Sequence, residues 1–271
     1  MTYPGHYLQT ALTIQSYLEF HSPESVTVIV DDINEHAWQT YQQDCATFYN
    51  ARIIPASRLD SRSLFDGVPW IRQQLVKLYL DQLLDFEQWF FTDGDVQFNF
   101  PIAKGTVPYT YTDGGLVQQQ QNNYVTRMLN LSDPGIFVDR QVCVSNPPFR
   151  FMDAKTLQDL RQHVEHIHGI NFLDLHWQIS FDTKTIGQYQ YYSISEWELL
   201  ATFATRVQGQ SLNLQYYPTY DLKDRVVPTS THPDYINTCY NTDQEIGREW
   251  FESRNIKCSD AVWNEICKIT K

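Results

Sequence analysis

The stretch Gln88-Trp-Phe-Phe-Thr92-Asp93-Gly94-Asp95-Val96-Gln97-Phe98 decides how this chain is read. Four of its first five residues are aromatic or β-branched, the composition of a strand packed on both sides, and the strand runs directly into an acid-glycine-acid triplet. In open α/β sheets, ligands bind beyond the carboxyl ends of the strands. Two carboxylates one residue apart can converge on a single divalent ion if the strand ends in a turn, and Gly94 permits that turn. A hard ion such as Mg²⁺ or Mn²⁺ prefers oxygen ligands. Bound there, it would neutralise a diphosphate and stabilise it as a leaving group. Roughly one or two such Asp-x-Asp triplets arise by chance in a chain this rich in aspartate, so the context carries the reading. The competing reading is a solvated turn, which Asp and Gly favour on their own.

Working outward, the spacing of Ile71, Leu75, Leu78 and Leu83 predicts a helix from Pro69 to Leu84, with proline in a first turn that tolerates it. Upstream, apolar residues at helical spacing predict a helix over Tyr7 to Phe20, and Val26 to Val30 reads as a buried strand closed by Asp31-Asp32. A helix around Ala37 to Phe48 and a strand at Arg52 to Pro55 follow. Downstream, Val107 to Thr112 reads as a strand ending in Asp113-Gly-Gly115, and Gln118 to Asn123 as a surface loop or frayed helix. Further strands are expected near Gln141 to Ser145 and Gln188 to Ser193. Helices are expected near Lys155 to His166, Ser195 to Arg206 and Asp243 to Ser253. The alternation predicts an α/β fold with a mixed, mainly parallel sheet and helices on both faces. Without a repeat or a linker, residues 1–271 read as one domain, its first half about 1–115 and its second about 116–271.

Gly67-Val-Pro-Trp-Ile-Arg-Gln-Gln-Leu-Val-Lys-Leu78, followed by the strand and Thr92-Asp-Gly-Asp-Val96, resembles the GT-A glycosyltransferase-like domains of bacteria and phages. In these a glutamine-rich helix with Lys-Leu precedes a strand ending in Asp-x-Asp. Ser193-Ile-Ser-Glu-Trp-Glu-Leu-Leu200 is similar to the Ser-Glu-aromatic-Glu-Leu segment of the same group, so the resemblance spans about residues 5 to 205. It implies a GT-A fold, a nucleotide-sugar donor, Mn²⁺ or Mg²⁺, and a hydroxyl acceptor such as a glycan. It leaves donor and acceptor unspecified. The family's first strand precedes its opening helix, whereas only Met1 to Pro4 stand in that place here. That strand is therefore expected to be short or missing, with nucleotide contacts from its end falling to Thr2, Tyr3 or Pro4.

The resemblance further implies that Asp31 or Asp32 lies near the nucleoside. Asp93 would face the ribose or a metal-bound water, and Asp95 would ligate the metal. Lys77 could reach the diphosphate as a point charge or be an ordinary helix lysine. An inverting transferase needs a carboxylate to take the acceptor's proton. Glu196 and Glu198 are the candidates, and both compete with a capping role, since Ser193/Glu196 and Ser195/Glu198 each form a capping-box pair. If the helix starts after Ser195, Glu198 caps and Glu196 is left for chemistry. His232, in a C-terminal loop, could complete the metal shell or sit on the surface. His163, His166 and His168 read as a solvated helix end rather than a zinc cluster, for want of a further ligand at zinc spacing. Trp70, Trp177, Tyr191, Tyr192 and Trp197 could stack on a sugar or belong to the core.

Composition narrows the remaining classes. The net charge is −12 with no run of Lys and Arg, which disfavours a nucleic-acid partner. A hydroxylated base of phage DNA is accordingly the least favoured acceptor. With 42% apolar residues the chain can build a core. Five dispersed cysteines without a CxxC pair suggest reduced thiols. No apolar run is long enough to span a bilayer and the N-terminus lacks signal-peptide features, so a soluble, cytoplasmic protein is expected. Two other readings stay open. One is nucleotidyl transfer on a related fold, disfavoured by the lack of an early glycine-rich basic loop. The other is a degenerate domain that binds a carbohydrate or partner without catalysis.

Overall fold

A computed structural model describes residues 7–22, 26–30, 51–59, 69–85, 87–92, 94, 96–98, 109–113, 116–132, 142–143, 149–182, 194–212, 214–216, 237–238 and 247–269. Contacts group the chain into two units that interleave in sequence. One comprises Met1–Arg58, Thr92–Thr106 and Asp221–Lys271; the other comprises Leu59–Phe91 and Val107–Tyr220.

The first unit is organised by helix α1 (Tyr7–Leu18). Tyr7, Leu8 and Ala11 pack against Phe251, Ile256, Cys258, Val262 and Ile266. The last residues belong to, or connect, two C-terminal helices, Arg248–Glu252 and Asp260–Ile269. Ile14 and Leu18 cover strands β1 (Thr27–Val30) and β2 (Arg52–Pro55) through Val28, Val30 and Ile53. These strands pair in parallel, Thr27 opposite Arg52 and Val30 opposite Pro55. A third face of α1 buries polar residues, Gln9, Thr13 and Ser16 among them. It packs against strand β4 (Val96–Gln97), which pairs antiparallel with Asn237–Thr238.

The second unit is mainly helical. Helix α2 (Pro69–Leu78) is followed by the one-turn helix α3 (Leu80–Leu83), and then by strand β3 (Gln88–Thr92). The single helix expected from Pro69 to Leu84 is thus broken at Tyr79. The break has a physical cause in Arg161, whose guanidinium donates to the Leu78 carbonyl and grips Asp81 with two hydrogen bonds of 2.8 and 2.6 Å. A buried planar fork that binds carboxylate and carbonyl together offsets the hydrogen bonds lost at the break. Strand β3 pairs with Phe149–Asp153, which leads into helix α5 (Ala154–His168). That helix ends at Gly169, whose φ of 68° is the left-handed stop favoured by glycine. Helices α4 (Leu116–Leu129), α6 (Phe172–Asp182) and α7 (Glu196–Thr202) complete the core, and α7 runs on into a wide helical turn over Phe203–Val207. Strand Tyr109–Asp113 sits between Val142–Cys143, antiparallel, and Leu214–Tyr216, parallel.

The protein is therefore α/β, mostly helical among the described residues, with small parallel pairings. The described strands form four small sheets, three of two strands and one of three. Gln118–Asn123, expected as a loop or frayed helix, lies within α4. Tyr124, Val125, Met128 and Leu129, all buried, hold that helix in the core and carry the polar turns before them into regular structure. Helix Phe172–Asp182 was not expected at all. No helix among the described residues is long and apolar enough to cross a membrane.

Candidate functional site

Gln74 and Lys77 stand three residues apart on α2, so their side chains share one helix face. Opposite them is Glu196, the first residue of α7. Lys77 Nζ lies 2.6 Å from Glu196 Oε1, and both side chains are 1% exposed. With its amide nitrogen turned to the carboxylate, Gln74 donates to Oε1 at 2.7 Å and also meets Oε2. The ammonium lies over two aromatic rings, 5.1 Å from the Phe91 ring centre and 4.7 Å from that of Trp197. Those rings touch each other at 5.9 Å. Cation–π attraction is strongest in such a dry setting. Glu196 also occupies the first turn of a helix, where the backbone dipole favours negative charge.

Helix α7 starts where the Ser195/Glu198 register predicts. Ser195 is the N-cap, and its hydroxyl accepts from the Glu198 amide at 3.2 Å. The backbone of position 198 thus takes the capping bond and leaves Glu196 facing Lys77. The Glu198 side chain is fully buried.

A second polar pair lies behind the first. The Tyr124 hydroxyl is 2.8 Å from His176 Nδ1, and both residues are buried. Burial, then the nearby charge of Glu196 and then Tyr79, pushes the Tyr124 phenol above its ordinary value, so it keeps its proton. Burial pushes the His176 imidazole down to about 3. With the ring neutral, the phenol donates to Nδ1 in the Nε2–H tautomer and accepts from it in the Nδ1–H tautomer.

The structure therefore brings Lys77, Glu196 and Glu198 into the core of the second unit. Lys77 is no ordinary surface lysine: its ammonium is directed at a carboxylate and two rings. Trp197, considered as a sugar platform, is part of that packing. Trp177 meets the His176 ring edge-on at 5.3 Å. His163, His166 and His168 sit on the last turns of α5, where His163 meets the Phe203 ring and His168 donates to the Met128 carbonyl at 3.1 Å. Among the described residues no group of three or more His, Cys, Asp or Glu side chains could hold a metal ion. Tyr3, Asp31, Asp32, Asp93, Asp95, Tyr191, Tyr192 and His232 lie outside the described residues.

No protein-family model, curated protein or solved structure matches this chain.

Sequence reasoning missed Gln74, Tyr124 and His176 as members of this cluster. Gln74 had a usable signal, since it lies one helical turn before Lys77. Tyr124 and His176 had none, because their meeting depends on how α4 and α6 pack.

Proposed function

We propose that the protein is a GT-A-type, metal-dependent glycosyltransferase that moves a sugar from a nucleotide-sugar donor to a hydroxyl acceptor. One observation carries this reading: the buried Gln74–Lys77–Glu196 cluster joins two of the three sequence segments on which the GT-A resemblance rests. Lys77 of Gln-Gln-Leu-Val-Lys-Leu and Glu196 of Ser-Glu-Trp-Glu-Leu are 119 positions apart, and a shared buried charge gives both segments a common structural reason.

Asp93 and Asp95 would hold the Mn²⁺ or Mg²⁺, with His232 as a further ligand, and Asp31 or Asp32 would face the nucleoside. Paired carboxylates suit a hard dication. When bound, the ion would neutralise the leaving diphosphate. Lys77 holds Glu196 in place. Glu196, hardly exposed and already matched by an ammonium, serves in this reading as a positioning residue rather than the base that meets the acceptor. A glycan fits the acidic chain better than DNA does.

The test is calorimetric titration of the full chain with UDP-, GDP-, CMP- and TDP-sugars, with and without Mn²⁺, alongside Asp95→Asn. Binding of one nucleotide class that needs the metal and is lost in Asp95→Asn is the expected result. Undiminished Mn²⁺-dependent donor binding by Asp95→Asn would refute the metal role. The burial of both Glu196 and Glu198 favours one other reading, a carbohydrate-binding domain without catalysis; it predicts sugar binding with no donor affinity.

A further inference from the structure

We draw no further inference here: the strongest candidate, the buried side-chain oxygens of Asn122 on α4 and Thr202 on α7, which meet no hydrogen-bond partner among the described residues, carries nothing because no described contact brings the two together around a ligand.

Discussion

Replacing Lys77 with methionine tests the buried cluster directly. Methionine keeps the length and apolar stem of lysine and removes the ammonium, so little packing is lost. What remains is the Glu196 carboxylate, 1% exposed, without the cation that stood 2.6 Å away. Breaking a buried ion pair by deleting one partner costs about 3–5 kcal/mol, because the survivor is left charged in a poorly polarisable setting. Two features pull toward the lower figure: the Gln74 amide still donates to the carboxylate, and the α7 N-terminus still favours negative charge by up to about 1 kcal/mol. Loss of the contacts with Phe91 and Trp197 pulls the other way, by roughly 0.5–2 kcal/mol. The net expectation is a destabilisation of about 3–4 kcal/mol.

The decisive variant is the double one. In Lys77→Met with Glu196→Gln no charge remains, and the new amide can pair with Gln74. Its cost is expected near 1–2 kcal/mol, below that of Lys77→Met alone. Because the chain divides into two units, native-state hydrogen exchange at the amides of Leu75 to Leu78 reads this cluster more directly than a single melting curve does. A loss under about 1 kcal/mol in Lys77→Met, with simple additivity in the double variant, would refute the reasoning. Such a result would mean that water reaches the carboxylate and that the cluster is not dry.

Two further outcomes are expected. His176, held down to about 3 by burial, stays neutral in the folded chain while the unfolded chain takes up a proton near 6.5. Stability is therefore full above pH 6.5 and falls by up to about 1.4 kcal/mol per pH unit toward pH 3, a slope that His176→Asn should reduce in urea titrations between pH 6.5 and 4.5. Nitrogen-15 shifts of the ring should report a neutral imidazole at pH 5; a doubly protonated ring would contradict the burial argument. Gly169→Ala should cost about 1 kcal/mol by urea denaturation, from the left-handed backbone alone, because an added Cβ meets nothing within 4 Å. A loss several times larger would show that the space at this helix end is occupied.

The elements legible in the sequence were those whose own side chains made the pattern. Tyr7–Leu18 has apolar residues at helical spacing toward two neighbouring clusters, and Thr27–Val30, Arg52–Pro55 and Gln88–Thr92 are short β-rich runs. Helix Phe172–Asp182 was missed because its apolar and polar residues do not separate onto opposite faces, and periodicity is silent for a helix buried on several sides. The glutamine run in α4 misled for a related reason. Polar composition suggested solvent, but the helix is fixed by the apolar turn after it, and Asn122 is buried beside Tyr124 and Val125. The break at Tyr79 was invisible too, since its cause, Arg161, lies 80 positions from Asp81.

The two acids of α7 show where sequence reasoning reaches its limit. Ser193-Ile-Ser-Glu-Trp-Glu offers two capping registers, and cap chemistry alone cannot choose between them. The observed N-cap at Ser195 selects the register that leaves Glu196 facing away from the cap. From sequence, a carboxylate freed from capping is available for proton transfer. In the folded chain the same register delivers it to Lys77 and Gln74 instead. Register decides where a side chain points, whereas the burial and charge at that place decide what it does, and these come from α2 and β3. A base must reach its substrate's hydroxyl within hydrogen-bond distance. A buried carboxylate held by an ammonium and an amide meets a different requirement, holding α7 against α2.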